Sequence, residues 1–318
     1  MREISGREIA ARVDVAAILP AMRAALRADV EGRVEVPLRA GWQFGNGEFA
    51  MLAMPARSTA LNFAVFKMLS LVDGNRARGI PGVMGELTLL DAVSGEPRAR
   101  LPAEEVTLLR TAALSAIATD LLAPKGADSL ALFGSGPQAA HHAQAMLAVR
   151  PIKRVMIHGR DKMRAEKLAD ELRNRFGLEA HFASNATTLR DAGIICTATN
   201  AREPLFAAED LGANVHINAI GAYRPDMCEL PAPLLREAFL YVDSIAPAAR
   251  EAGDLLKAFG TPEEVTRHIR AIGELVANPL AERPLGRTVY KAVGNAGQDL
   301  YAAAAILQLM DGAVPGKV

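Results

Sequence analysis

The sequence predicts an α/β protein in two parts, and three observations carry that reading. From residue 129 onward short apolar runs alternate with helical patterns, a glycine-rich turn joins the first of these runs to the first of these helices, and the first 110 residues follow a different, strand-rich pattern. At 318 residues the chain is about twice a typical domain, so two domains are expected, with a core that needs no staples.

The apolar runs Glu48–Met54, Phe63–Leu69 and Glu86–Asp91 are separated by Gly- and Pro-rich turns and predict a mixed-strand first domain. Residues 103–122 are rich in Leu and Ala at helical spacing and stop before Pro124, which predicts a long helix with the domain boundary near Arg110. Beyond it, Ser129–Phe133, Arg154–His158, Ile194–Thr199, His216–Ile220 and Leu240–Asp243 read as buried strands. Helical stretches at Ala139–Val149 and Lys162–Phe176 separate the early ones, as a parallel sheet with crossover helices requires. A last helix near Asn295–Met310 is apolar along one broad face.

The turn after the first of these strands is Gly134-Ser135-Gly136-Pro137-Gln138-Ala139. This is G-x-G-x-x-A between a strand and a helix: the first glycine allows the tight turn, the second the approach of a pyrophosphate, and the small Ala139 close helix packing. The turn predicts a Rossmann-type dinucleotide site with the helix N-terminus facing the phosphates, the alternative being a plain strand-to-helix loop with two convenient glycines, and Pro137 suits a first helical turn. The next strand ends His158-Gly159-Arg160-Asp161, with no acid at its last residue. Arg160 suits a 2′-phosphate, so NADP(H) is preferred; Asp161 leaves NAD(H) possible, and a solvated loop arginine is the plain alternative. Thr197, Ala198 and Thr199 at the next strand end, and Gly221 after the following one, complete the candidate cofactor-binding set with Gly134 to Ala139, Gly159 and Arg160.

Composition narrows the partners. Thirty-six basic residues balance thirty-six acidic ones without a long like-charge run, which argues against a nucleic-acid groove or a polybasic membrane patch. The most apolar stretch, residues 50–72, is broken by Pro55, Arg57, Asn62 and Lys67 and is unfit to span a membrane. Two cysteines without C-x-x-C spacing fit free thiols, and the six histidines lack metal-ligand spacing, so no metal is expected. The charged start MREISGREIAARV has no apolar leader, so a cytoplasmic location is expected. A small molecule is the expected ligand.

Several strings are more specific. Arg110-Thr-Ala-Ala-Leu-Ser-Ala-Ile-Ala-Thr119, the GSGPQA turn and His216-Ile-Asn-Ala-Ile-Gly-Ala-Tyr-Arg-Pro-Asp-Met-Cys-Glu-Leu230 together resemble the ornithine cyclodeaminase and mu-crystallin family. Tyr241-Val-Asp-Ser244, Glu251-Ala-Gly-Asp-Leu255, Val289-Tyr-Lys-Ala-Val-Gly294 and Asp299 add to the likeness. The resemblance implies a Rossmann domain, residues 111–289, set into a smaller mixed α+β substrate-binding and dimerisation domain, residues 1–110 with 290–318, and a homodimer. It implies an imine of a 2-oxo acid as the reacting group, with a nicotinamide giving or taking hydride. Within it, Arg39, Lys67 and Arg110 match the substrate-carboxylate cations, and Lys67 and Asp226 the catalytic pair, with Asp226 acting on the imine nitrogen. Each has a plainer reading: a snorkelling lysine, an ordinary ion pair, a turn aspartate. Gly159 stands where the family often has asparagine, and Ala292 where serine is common. Three functions follow: a ketimine reductase acting on pyrroline-2-carboxylate or piperideine-2-carboxylate, an ornithine cyclodeaminase yielding L-proline and ammonia, or a non-catalytic binding protein on the same fold.

Overall fold

The computed structural model describes residues 1–184, 186–279 and 282–312. Two compact units result, Met1–Arg110 with Asn295–Val318, and Thr111–Gly294. The chain re-enters the first unit at Asn295 and not at residue 290. Residues 288–291 form a strand hydrogen-bonded on both sides, so the parallel sheet retains them.

The first unit carries β1 (Arg2–Glu3), α1 (Gly6–Arg12), α2 (Val15–Val30), β2 (Val34–Glu35), β3 (Ala40–Phe44), β4 (Phe49–Ser58), β5 (Phe63–Leu71), β6 (Val83–Asp91) and β7 (Pro97–Pro102). A long helix, α3 (Ala103–Leu122), holds the division between the units. Helix α1 starts at a capping box in which Ser5 and Glu8 satisfy each other's backbone N–H groups, and Asp14 caps α2. The sheet runs β1-β7-β6-β5-β4-β2, with β3 also paired to β4. Strand β4 tolerates Pro55 for a positional reason. Its pairing with β3 ends at Ala53 and that with β2 begins at Arg57, so the missing N–H falls in the gap between them. Alternation along β4 and β5 turns Met54, Ala56, Val65 and Lys67 inward, and the opposite face shows Phe66 and Met68.

The second unit carries β8 (Ser129–Phe133), α4 (Pro137–Leu147), β9 (Arg154–His158), α5 (Lys162–Phe176), β10 (Glu179–Phe182), β11 (Ile194–Thr197), β12 (His216–Ala219), α6 (Ala232–Glu237), β13 (Phe239–Val242), α7 (Ile245–Glu251), α8 (Gly253–Phe259), α9 (Pro262–His268), β14 (Ile269–Ala271), α10 (Ile272–Ala277) and β15 (Thr288–Lys291). The last helix, α11 (Ala296–Met310), belongs to the first unit, where it packs on α2, β4 and β5. The eight strands of the second unit are parallel in the order β10-β9-β8-β11-β12-β15-β13-β14. Strands β8, β11, β12 and β15 are buried at every residue, as a sheet covered on both faces demands. The order reverses between β8 and β11, which opens a crevice at their carboxyl ends.

Two polar devices hold this unit where apolar packing alone would fail. The buried Arg150 guanidinium donates to the carbonyls of Thr119 (2.7 Å), Asp120 (3.0 Å), Ala123 (3.1 Å) and Pro124 (3.0 Å), closing the C-terminal end of α3. Within the sheet, the Thr288 hydroxyl donates to His216 Nδ1 (2.8 Å), His216 Nε2–H to Asn218 (3.2 Å), and the Asn218 amide to Thr119 (2.9 Å). Burial holds the His216 imidazole down to about 3, so it is neutral and this tautomer satisfies every partner.

Candidate active-site residues in the two units

In the second unit β8 runs into Gly134 at φ 115°, where a Cβ would lie 2.6 Å from the Ala198 carbonyl. Only glycine fits there. Gly136 precedes the first turn of α4, which starts at Pro137, contains Gln138 and the buried Ala139, and is capped by no side chain. The open N–H groups of this 11-residue helix and the glycine-lined approach, to which Ser135 belongs, fit a pyrophosphate. At the end of β9, His158 stacks on Phe133 with ring centroids 4.5 Å apart, and Gly159 and Arg160 follow, the arginine exposed. Asp161 is committed elsewhere: its carboxylate accepts from the Arg164 N–H at 3.1 Å and caps α5.

The hydroxyls of Thr197 and Thr199, both in the candidate cofactor set, donate to Glu229, at 2.7 and 2.8 Å. The same carboxylate accepts the N–H groups of Thr199 (2.6 Å) and Gly221 (2.7 Å). A Cβ on Gly221 would stand 2.2 Å from the Thr199 carbonyl and 2.3 Å from Glu229, so the glycine is required by this close approach. Asp254 extends the cluster by accepting from the N–H groups of Glu229 (2.6 Å) and Leu230 (3.0 Å), and the Lys291 ammonium lies 3.0 Å from its other oxygen. Glu229, Asp254 and Lys291 are all buried. Burial raises the Glu229 carboxyl above the usual carboxylate range, with Asp254 adding to the rise, against the downward pull of Lys291 and of the two threonine hydroxyls.

Asp226 stands apart from this cluster. Its carboxylate lies 3.3 Å from Arg202 and 3.2 Å from Arg224, and its side chain is 48% exposed. Within its own unit it is surrounded by two guanidinium groups and solvent.

In the first unit, register places Lys67 between Met54 and Leu87 on the inward face of the sheet. Its ammonium, 2% exposed, donates to Thr107 (2.7 Å) and to both oxygens of Asp299 (3.1 Å each). Arg110 Nε donates to Asp299 at 3.1 Å, and its Nη1 donates to Gln298 at 3.2 Å. Gln298 and Asn295 form the capping box of α11, so the helix start that fixes Gln298 also fixes Asp299 one residue on. Burial lowers the proton affinity of Lys67, Asp299 restores part of it, and Arg110 and Arg39 lower it again. The structure thus brings Lys67 and Arg110 together, with the half-buried Arg39 near enough to act on the lysine. Asp299 is held below the usual carboxylate range: burial alone would raise it, and the Lys67 and Arg110 charges overcome that.

Residues 4–312 match the model of the ornithine cyclodeaminase/mu-crystallin family. The chain belongs to that family. It is 34% identical to a Delta(1)-pyrroline-2-carboxylate reductase of Bacillus cereus over 95% of this chain and 94% of that one. Identity to the ketimine reductase mu-crystallin of Mus musculus is 32%, over 90% of each. Among solved structures, the Thermococcus litoralis Delta(1)-pyrroline-2-carboxylate reductase in complex with NADH and L-proline superposes with a TM-score of 0.91 at 27% identity, covering 99% of this chain and 100% of that one. Among the described residues no group of three or more His, Cys, Asp or Glu side chains could hold a metal, and no helix is long and apolar enough to cross a membrane.

Proposed function

We propose that this member of the family reduces a cyclic 2-imino acid, pyrroline-2-carboxylate or piperideine-2-carboxylate, to the L-amino acid at the expense of a reduced nicotinamide dinucleotide. The observation that carries the reading is the buried Lys67–Asp299–Arg110 assembly. Lys67 and Arg110 share the one carboxylate of Asp299, an excess of positive charge that a substrate carboxylate balances. Arg110 orients that carboxylate, and Lys67, whose hold on its proton burial weakens, protonates the imine nitrogen. A bound dihydronicotinamide supplies the hydride that reduces the imine carbon. Gly134 and Gly136 with the start of α4 would hold its pyrophosphate.

NADP(H) is the preferred cofactor in this reading, because Arg160 is exposed at the end of β9 while Asp161 is occupied as a cap. NAD(H) is the alternative. The protein acts as a homodimer: Trp42, Phe44, Phe49, Phe66, Met68 and Met84 are exposed on strands β3 to β6 of one sheet, apolar side chains that a second copy would cover. The cyclodeaminase alternative calls for a retained oxidised nucleotide. Assaying nucleotide oxidation with both cyclic imines, alongside ammonia release from L-ornithine, separates the two. Imine-dependent oxidation without ammonia release is expected; ammonia from ornithine without net nucleotide turnover refutes the reductase.

A further inference from the structure

The Glu229 carboxylate is committed on every side. Each oxygen accepts two hydrogen bonds, Oε1 from the Thr199 N–H and hydroxyl and Oε2 from the Thr197 hydroxyl and the Gly221 N–H. A carboxylic acid would have to turn one of the threonine hydroxyls from donor to acceptor and lose that bond, so the four-donor arrangement favours the ionised form against the opposing effect of burial. The residue is fully buried, and the charged groups acting on it are Lys291 and Asp254. Two carboxylates against one ammonium leave an unbalanced negative charge under the carboxyl ends of β11 and β12.

These strand ends lie on one side of the topological switch, opposite the β8-β9-β10 half that carries Arg160. In a doubly wound sheet the two halves take the two mononucleotides of a dinucleotide, with the phosphates at the switch. The half reading the adenine ribose is the one with Arg160, so β11 and β12 are left with the nicotinamide.

We propose that Glu229 selects the redox state of the bound nucleotide, its fixed negative charge favouring the cationic oxidised nicotinamide over the neutral reduced ring. Glu229 touches neither ring nor substrate in this account. It is a positioning residue that acts through the Thr199 and Gly221 backbone and through its field. The consequence for the reaction is direct: a charge that stabilises the oxidised ring stabilises positive charge developing there as hydride departs. The inference rests on the nucleotide-dependent reading above.

The test is the ratio of oxidised to reduced nucleotide affinity, measured by calorimetry on the whole protein and on variants, with thermal unfolding as a fold check. Glu229→Gln is expected to weaken oxidised-nucleotide binding about ten-fold and reduced-nucleotide binding less than about three-fold. A residue that merely ties strand ends would weaken both alike. Because Gln places an amide against N–H donors, Glu229→Gln can lose stability, and Asp254→Asn gives the same sign from a second carboxylate. Lys291→Met, which strips the one cation, is expected to move the ratio the other way. Equal loss of both forms, or an unchanged ratio in the folded variants, overturns the proposal alone. A parent protein that binds neither nucleotide overturns the functional reading with it.

Discussion

Replacing Asp299 by Asn tests how the substrate cations are held. The carboxylate is fully buried, 3.1 Å from both the Lys67 ammonium and Arg110 Nε. Asn keeps an oxygen for Arg110 but turns an NH2 toward Lys67, leaving a buried cation without its counter-charge. Breaking a buried pair from one side costs about 3–5 kcal/mol. Lys67, its proton affinity already lowered by burial, can shed its proton, so the lower end of that range is expected. Adding Lys67→Met fills a similar volume without charge and should return about 1–2 kcal/mol, a coupling that independent sites would not show. Urea unfolding of the parent, both single variants and the double variant measures it. A loss under about 1 kcal/mol for Asp299→Asn, or strict additivity, would refute a charge-paired anchor.

Other consequences are separable. Arg160→Ala should reduce NADPH affinity about ten-fold and leave NADH affinity unchanged in direct titrations, since a charge-assisted contact to a phosphate supplies about 1.5–3 kcal/mol; equal losses would remove the arginine from cofactor choice. Asp226→Asn should change turnover less than about three-fold in steady-state assays, because its charge is shared with Arg202 and Arg224 and half exposed; a hundred-fold fall would restore it to the imine. Burial holds His142 at about 4 and His216 at about 3, below the ordinary histidine range. Between those values and about 6.5 the unfolded chain binds more protons, so each imidazole should cost stability at about 1.4 kcal/mol per pH unit as pH falls through this window. Urea midpoints across it should drop, and flat midpoints would contradict neutral buried imidazoles.

The sequence announced the parts whose signal is local. Ser129–Phe133, the glycine turn and Ala139 are contiguous, and strands β8 and β9 have the bounds that their apolar runs suggest. It failed where burial depends on distant partners. Strand β15 holds Thr288 and Lys291 inside the sheet because His216 and Asp254 receive them, which no window around residue 288 reveals. Short β10 and β14 were missed because His181 and Arg270 interrupt runs of three or four residues. Lys67 and Arg110 could be picked out, and Asp299 too as part of the family likeness, yet its part as their anchor, 232 and 189 residues away, is not in any local signal. Thr197 and Thr199 could be picked out, yet the buried Glu229 that their hydroxyls meet lies 32 and 30 residues away.

The account turns on hydride reaching the imine carbon of a ring held by Lys67 and Arg110. Reduced nicotinamide dinucleotide carrying deuterium at the transferable C4 position, incubated with the protein and pyrroline-2-carboxylate, tests this directly by mass spectrometry of the product. The account predicts L-proline with one deuterium at Cα, formed by the parent and at least about a hundred-fold more slowly by Lys67→Met. Unlabelled proline, no proline at all, or an unimpaired Lys67→Met variant would contradict it.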